Sequence, residues 1–559
     1  MSRFPAIRLR GLAYGLGMLW LVVQVALVHR WFVQPYAVWI GCDEAYITAF
    51  GQRLLEGHWV PYVDAVSHRG PVLYWVSAIL QAIGGRNSWA AIRAGSLIFN
   101  EVSLVLVFAI GAVARKPLAG FLGAAIFVWA ATFALPAHDG IALNGEIVSL
   151  PFVLGATLLT LAGTRDGGRA ESRMWLAAGS GALVVIGGLS KQPAFVHLLP
   201  IALWWWSDAR KRQAGASSAD WRPLLALGVG AATPLLALVS FYLRAGHLRA
   251  LLYYLVTYNR KVYLAPITVG VAIEALYGFC RAHAELVLLV VVGAAWWLGR
   301  MLHATERVRS ARSWLAAYSA TALSSTVTAQ ALLAFAGACS TFRFFDHYFV
   351  SAVPWLGLML GLIVDERIES GQPRSSARGA WARAIIVGSL VGMLALMGKV
   401  HTHWLDGQRR LGFFGDPHDE PITNYVVANT RPTDRIFTWG FAPEYYVSTG
   451  RRAASRFVYT TFVAGLVPWF DRYTVEQEDA LAVPGSREVL LRELELEQPE
   501  LILDVPNSLR NRSMRRYEML ASYVESMYCY EATIVGRNGH TSDIYRRRHG
   551  DCARPMPPR

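Results

Sequence analysis

The sequence predicts a polytopic α-helical membrane protein, with about eleven transmembrane helices and a small α/β domain at the C-terminus. Three observations predict this. Hydrophobic residues make up 54% of the 559 and charged residues only 16%, against roughly 25% charged in an ordinary soluble domain. Apolar runs approaching the roughly 20 residues that a bilayer crossing needs recur through the first 400 positions. Past Lys399 the chain turns polar and charged and stays so. The division expected is therefore a membrane domain over 1–400 and a tail domain over 401–559.

In chain order, Arg3, Arg8 and Arg10 precede the first apolar run, 12–33. No small-residue cleavage site follows, so this run is expected to be a membrane helix with its basic end in the cytoplasm, not a signal peptide. Further spans are expected at 92–114, 118–136, 147–164, 174–190, 194–207, 221–243, 284–300, 314–337, 348–364 and 384–400. The apolar segment 71–84 is short and is expected as a surface helix or partial span. Basic residues gather in the short loops 115–117, 165–173, 208–222, 300–313 and 365–383, including Arg115, Lys116, Arg210, Lys211 and Arg212. All fall on one side of this arrangement, which the positive-inside rule makes the cytoplasmic one. The formal charge of +14 thus speaks for topology rather than for nucleic-acid binding. The odd number of spans puts the tail outside. Segments 34–91, 136–146, 244–283 and 338–347 then share the outer face.

The tail carries its own signals. Arg435 to Trp439 is a predicted strand, 487–498 a helix with Val489, Leu490, Leu491 and Leu494 apolar, and 501–505 a buried strand. Asn538-Gly539 between two β-prone runs marks a hairpin turn. Of five cysteines, all placed at or beyond the outer face, Cys529 and Cys552 are a candidate disulfide pair in an oxidising compartment. No CxxC or other metal-ligand spacing occurs. His401 and His403 supply two imidazoles, too few for a zinc site.

The stretch Gly41 to Trp75 concentrates the chemistry. Asp43 and Glu44 stand just beyond the first span, where charges are costly, and the aromatics Tyr46, Trp59, Tyr62, Tyr74 and Trp75 follow, with Asp64 and His68-Arg69. Adjacent acids, then a basic residue before a proline and an apolar run, fit one ligand at the membrane surface that carries a reactive polar head and a phosphate. The order Asp-Glu, then Leu-Glu-Gly and Pro-Tyr, then Arg69-Gly70-Pro71-Val72-Leu73-Tyr74 resembles the protein O-mannosyltransferase and aminoarabinose-transferase group. These are C-type glycosyltransferases that use polyprenyl-phosphate sugars. Where that group carries Lys-Pro-Pro-Leu, this chain carries Arg69 in the lysine position. The segment from Phe342 to Tyr348, followed by Pro354, is similar to the group's His-Tyr and Pro approach to a late helix.

The resemblance implies a C-type glycosyltransferase fold with its active site in the outer loops. It implies transfer of a sugar from a polyprenyl-phosphate donor to an acceptor hydroxyl of a glycan, lipid or protein. Asp43 would be the base that takes the hydroxyl proton, with Glu44 shaping the site beside it. The departing phosphate is stable as an anion, so one base and nearby positive charge suffice. Arg69, Lys191, Arg260, Lys261, Arg343 and His347 are the candidate phosphate ligands. Lys191 draws attention because it stands between two apolar spans. Asp139 and Glu146 are candidates for acceptor binding, for holding a divalent metal or for tuning Asp43. Each residue also has a plainer reading: interfacial acids held by backbone N–H groups, and basic side chains snorkelling to headgroups. No P-loop, nucleotide-binding glycine motif or Ser-His-Asp arrangement occurs, which fits a lipid-linked donor. The rival reading is a transporter or flippase of lipid-linked sugars. Transporters tend to place charges near the midplane within repeated halves, and no repeat is evident here. The implied location is the inner (plasma) membrane.

Overall fold

In a computed structural model, the described residues are 4–33, 42–130, 142–165, 169–213, 220–263, 268–306, 321–370, 420–466, 475–537 and 539–557. They are mostly helical, with one sheet near the C-terminus. Among them, five helices are long and apolar enough to cross a membrane: Trp89–Val113, Gly145–Gly163, Ala170–Ser190, Arg222–Arg244 and Ala322–Cys339. The helices Val269–Ala282 and Leu286–Leu302 form a pair bent by 93°, which makes up to six if they count as one span. The chain is a multi-pass membrane protein. The expected span 384–400 lies outside the described residues. Segment 244–283, expected as a loop, contains the helices Leu248–Leu252, Tyr253–Tyr263 and Val269–Ala282.

The chain packs as two units. The first takes Met1–Arg30, Ser96–Ser240 and Pro266–Arg410. Its core gathers Leu104, Val107, Phe127, Ile147, Leu154, Trp355 and Leu356 from several helices. With lipid outside and no hydrophobic driving force between helices, close contact there depends on small residues. A Cβ on Gly361 would stand 2.5 Å from the Ala119 carbonyl oxygen, so glycine is what lets Val353–Ser370 meet Pro117–Trp129. Polar side chains inside this unit find each other: the Gln330 amide donates to Thr157 Oγ1 at 2.9 Å, and its carbonyl lies 3.0 Å from His197 Nδ1.

The second unit takes Trp31–Gly95, Phe241–Ala265 and Leu411–Arg559. Residues expected as outer loops of the membrane part therefore pack with the tail. Helix Cys42–Glu56 opens with Asp43 and Glu44 in its first turn, where the helix dipole favours negative charge. Helix Pro71–Gly84 starts at a proline, whose missing N–H costs nothing at that position. The two helices cross at Gly51, where a Cβ would come within 2.4 Å of Ser77 Oγ. The tail is a five-stranded sheet of β1 (Arg435–Trp439), β2 (Arg452–Ala453), β3 (Leu501–Asp504), β4 (Tyr528–Val535) and β5 (Thr541–Arg547), in the order β2-β1-β3-β5-β4. The first three strands are parallel and β5 runs antiparallel to β3 and β4. β3 is buried along its whole length: Leu501, Ile502 and Leu503 are apolar, and Asp504 at its end accepts from Ser513 and Met514. The strands at 435 and 501, the helix Ser486–Glu497 and the β4–β5 hairpin all stand where the sequence puts them. Cys529 and Cys552 are joined.

The tail holds the helix that carries Asp43. Cys42 Sγ lies 3.7 Å from the Phe441 carbonyl oxygen, the Tyr46 and Tyr459 rings are 4.0 Å apart, and Arg53 donates to the Ala453 carbonyl at 3.3 Å. The Val66 N–H donates to the Arg456 carbonyl at 3.1 Å.

Candidate active site

In the second unit, Asp43 meets Arg69. An Arg69 guanidinium N–H donates to Asp43 Oδ1 at 2.6 Å, a charge-assisted hydrogen bond. The arginine is fixed from its backbone: its carbonyl accepts from Tyr62 O–H at 2.6 Å, and its N–H donates to Ser67 Oγ at 3.2 Å. Its guanidinium lies 5.9 Å from the Tyr46 ring centroid. Tyr46 and Tyr74 are buried. Tyr46 donates to the Val66 carbonyl, and Tyr74 shares a hydrogen bond with Ser67. The Arg69 side chain is 12% exposed and that of Asp43 is 37% exposed, so a ligand has access to the acid.

Glu44 does something else. Its carboxylate accepts from Arg93 at 3.1 and 3.3 Å, and both side chains are buried. Arg93 escaped the sequence reading. The signal was a lone arginine in the first turns of an apolar helix, a charge that demands a partner. Asp64, in the same loop, caps the backbone N–H groups of His58 and Val60 at 2.9 and 2.8 Å. His68 is buried beside Tyr258 and Phe462, and Asn259 donates to its carbonyl at 2.8 Å. Arg260 and Lys261 follow Asn259 and are exposed. Burial pushes the Cys42 thiol well above its ordinary pKa, with Glu444 and Asp43 adding to the effect.

The first unit holds a second constellation. Helix Ala170–Ser190 ends at Lys191, since Pro193 two residues on cannot continue it. The ammonium reaches Glu146 Oε1 at 2.7 Å and lies 4.3 Å over the Tyr348 ring. Glu146 is buried in the first turn of Gly145–Gly163, which Asn144 caps by accepting from Ile147 N–H at 2.9 Å. His347 stacks on Phe345 and meets Tyr348 edge-on. Arg343 is half-buried between Phe342 and Phe344, both at positive φ of 52° and 50°. Strained backbone of this kind needs support from its surroundings and concentrates at functional sites. Asp346 Oδ1 accepts from His283 Nε2 at 2.8 Å. Asp139 lies outside the described residues. Among the described residues, no group of three or more His, Cys, Asp or Glu side chains is placed to hold a metal.

The predicted residues thus fall into an acid–arginine pair with a buried anchor beside it, and a lysine–glutamate pair beside aromatic rings. Residues 68–237 match the dolichyl-phosphate-mannose-protein mannosyltransferase family. The structure is similar to that of ArnT from Cupriavidus metallidurans bound to undecaprenyl phosphate. The identity is 14%, the match covers 96% of this chain and 99% of that one, and the TM-score is 0.50. The chain has a C-type glycosyltransferase fold. It resembles the protein O-mannosyltransferase and aminoarabinose-transferase group, as its Asp43-Glu44 and Arg69 motifs imply. A further similar structure is AglB, the oligosaccharyltransferase of Archaeoglobus fulgidus, in complex with an inhibitory peptide and a dolichol-phosphate. There the identity is 13%, with 95% of this chain and 74% of that chain covered and a TM-score of 0.44. No curated protein sequence matches the chain.

Proposed function

We propose that the chain is an integral membrane glycosyltransferase that moves a sugar from a polyprenyl-phosphate donor to an acceptor hydroxyl on the outer face of the membrane. The observation that carries this reading is the Asp43–Arg69 pair: a reachable carboxylate next to a guanidinium whose backbone is held by Tyr62 and Ser67. The acceptor oxygen attacks the anomeric carbon as its proton passes to Asp43. The bond from that carbon to the phosphate oxygen breaks, and its electron pair leaves with the polyprenyl phosphate. Arg69 meets the growing charge on the leaving phosphate. Such a contact accelerates the step to the extent that it is stronger in the transition state than in the ground state.

Arg260 and Lys261, in the same unit as Arg69, are assigned to the donor phosphate as well, and Lys191, Arg343 and His347 form a separate set of candidate phosphate ligands in the first unit. Glu146 holds Lys191 in place. In this reading the N-terminus is cytoplasmic, the chain lies in the inner membrane and the tail is extracytoplasmic.

The test has two arms. Glycolipid, glycan and glycoprotein profiles of cells with and without the protein should differ in one glycoside. Purified Asp43→Asn should lose about 10²–10⁴-fold in turnover, the usual contribution of a general base. A folded variant that transfers sugar at the wild-type rate would remove Asp43 from this role.

A further inference from the structure

One strip of the tail, 452–462, lies against both elements of the candidate site in the second unit. Arg452 reaches Glu56, the last residue of helix Cys42–Glu56, at 3.4 Å. The Ala453 carbonyl accepts from Arg53 at 3.3 Å. Tyr459 sets its ring 4.0 Å from that of Tyr46. These contacts follow the Asp43 helix from its last residue back towards its first turn. The same strip holds the loop that carries Arg69. The Arg456 carbonyl accepts from Val66 N–H at 3.1 Å, and the Phe462 ring lies 6.4 Å from that of His68. Tyr46 belongs to both elements: it stands on the helix, donates to the Val66 carbonyl and has the Arg69 guanidinium 5.9 Å from its ring centroid. The strip has anchors of its own. Glu493, on helix Ser486–Glu497, accepts from Ser455 Oγ at 2.8 Å and from the Arg456 backbone N–H at 3.1 Å. Thr460 Oγ1 accepts from Gly440 N–H at 2.9 Å, just past the end of β1.

We propose that this strip is a positioning element of the transferase, with Tyr459 the residue through which it sets Arg69 against Asp43. The proposal rests on the function proposed above. Asp43 and Arg69 stand 26 positions apart on different elements, so their relative placement is fixed by what packs against both. In the proposed transfer the base and the phosphate ligand serve one anomeric carbon at the same moment. A misplacement of about 1 Å in such an arrangement costs up to about 10²-fold in rate. Tyr459 acts without touching the substrate. Its buried ring backs Tyr46, an aromatic contact that stabilises beyond its buried area. Loss of that ring lets Tyr46 shift, and with it the Val66 carbonyl and the loop behind Arg69. Phosphate binding survives the shift, because the Arg69 backbone keeps its own ties to Tyr62 and Ser67. The tail is then a part of the catalytic unit and not an appended binding module.

Two readouts separate positioning from binding and from folding. Full-length variants in nanodiscs are measured for undecaprenyl phosphate binding and for thermal melting. The same variants, at matched protein level in cells lacking the wild type, are scored for the glycoside that distinguishes cells with and without the protein. Tyr459→Leu is expected to lower that glycoside by about 10–10²-fold while its undecaprenyl phosphate affinity stays within about threefold of wild type. Tyr459→Phe keeps the ring and should restore the product. Glu493→Ala removes the anchor at Ser455 and Arg456 and should act in the same direction as Tyr459→Leu; it decides the matter if Tyr459→Leu does not fold. Cys529→Ser with Cys552→Ser weakens the tail at β4, which is separated from β1 by β3 and β5, and should keep the product below its melt. A folded Tyr459→Leu protein with wild-type product overturns the proposal, and so does a Tyr459→Phe protein as poor as Tyr459→Leu. A fall in undecaprenyl phosphate binding that matches the fall in product overturns it too, by making the strip a donor-binding element. An equal fall in the disulfide variant overturns it by reducing the effect to tail stability. Asp43→Asn and Arg69→Ala are scored alongside. Wild-type product from both would remove the function on which the proposal rests, whereas their loss beside an unaffected Tyr459→Leu removes the proposal alone.

Discussion

Replacing Glu44 distinguishes an acid that reacts from an acid that holds. Its carboxylate and the Arg93 guanidinium are only 3% and 4% exposed, and Arg93 donates to it at 3.1, 3.3 and 3.4 Å. Removing one partner of such a pair strands the other charge away from water, at a cost of about 3–5 kcal/mol. Glu44→Gln keeps the volume and one acceptor oxygen, so the lower end, about 3 kcal/mol, applies. For a unit of this size that is a fall in melting temperature of roughly 6–12 °C. The assay is thermal unfolding of the purified protein in nanodiscs, with sugar transfer measured well below the melt. Transfer by Glu44→Gln should stay within about threefold of wild type there, since general base catalysis would show a loss of at least about 10²-fold. Glu44→Met with Arg93→Met should recover most of the lost melting temperature, because an apolar pair of similar volume replaces a desolvated ion pair. A Glu44→Gln protein that melts like wild type and has lost transfer would refute the reasoning and make Glu44 a reacting group.

Three further outcomes follow from particular contacts. Lys191→Met leaves Glu146 buried without its cation and should lower the melting temperature, while Lys191→Met with Glu146→Gln should restore folding but not donor binding; donor titration of the double variant checks this. Asp504 is buried at the end of β3, and burial pushes its carboxyl up to about 7, with hydrogen bonds from Ser513 and Met514 acting the other way. Its folded value lies above the unfolded one, so the stability it gives is complete below about pH 4 and is lost as pH rises to about 7. Melting of the full-length protein from pH 5 to 8 should fall, and Asp504→Asn should flatten that slope. Cys529 and Cys552 close a loop with a sequence separation of 23, so the double serine variant should lose about 3 kcal/mol by the loop-entropy estimate, read as a lower melting temperature of the substituted protein than of the disulfide-bonded one.

What the sequence made legible tracks how local each signal was. The tail strands at Arg435 and Leu501 were visible as short β-prone runs, Ile-Phe-Thr-Trp and Leu-Ile-Leu. The hairpin was visible in a two-residue turn signal. The helix start at Pro71 and the break at Lys191 were visible because proline acts on its own neighbours. Pairings were not visible. Nothing local tells that Glu44 belongs to Arg93, 49 positions away, or that Lys191 belongs to Glu146. Nor does any local pattern tell that 31–95 and 241–265 pack with the tail. A hydropathy scan sees them as the spaces between spans. The contacts that tie them to the tail, such as Tyr46 on Tyr459 and Arg53 on the Ala453 carbonyl, are made by residues that look unremarkable one at a time.

The three candidate acids described here share one physical rule and part company on one number. Each has a cation: Asp43 has Arg69, Glu44 has Arg93 and Glu146 has Lys191. Pairing is what a chain must do with charge in or beside a bilayer, where an isolated ion is expensive. Pairing by itself therefore does not mark a reacting group. Access does. Glu44 and Glu146 are each 3% exposed, and their partners 4% and 15%. Opening either pair for a substrate would strand a charge inside protein. Asp43 is 37% exposed beside an arginine at 12%, so an acceptor hydroxyl has a path to its carboxylate. Among these three acids Asp43 is therefore the one a substrate can reach without opening a buried ion pair, and such reach is what the proposed general base requires.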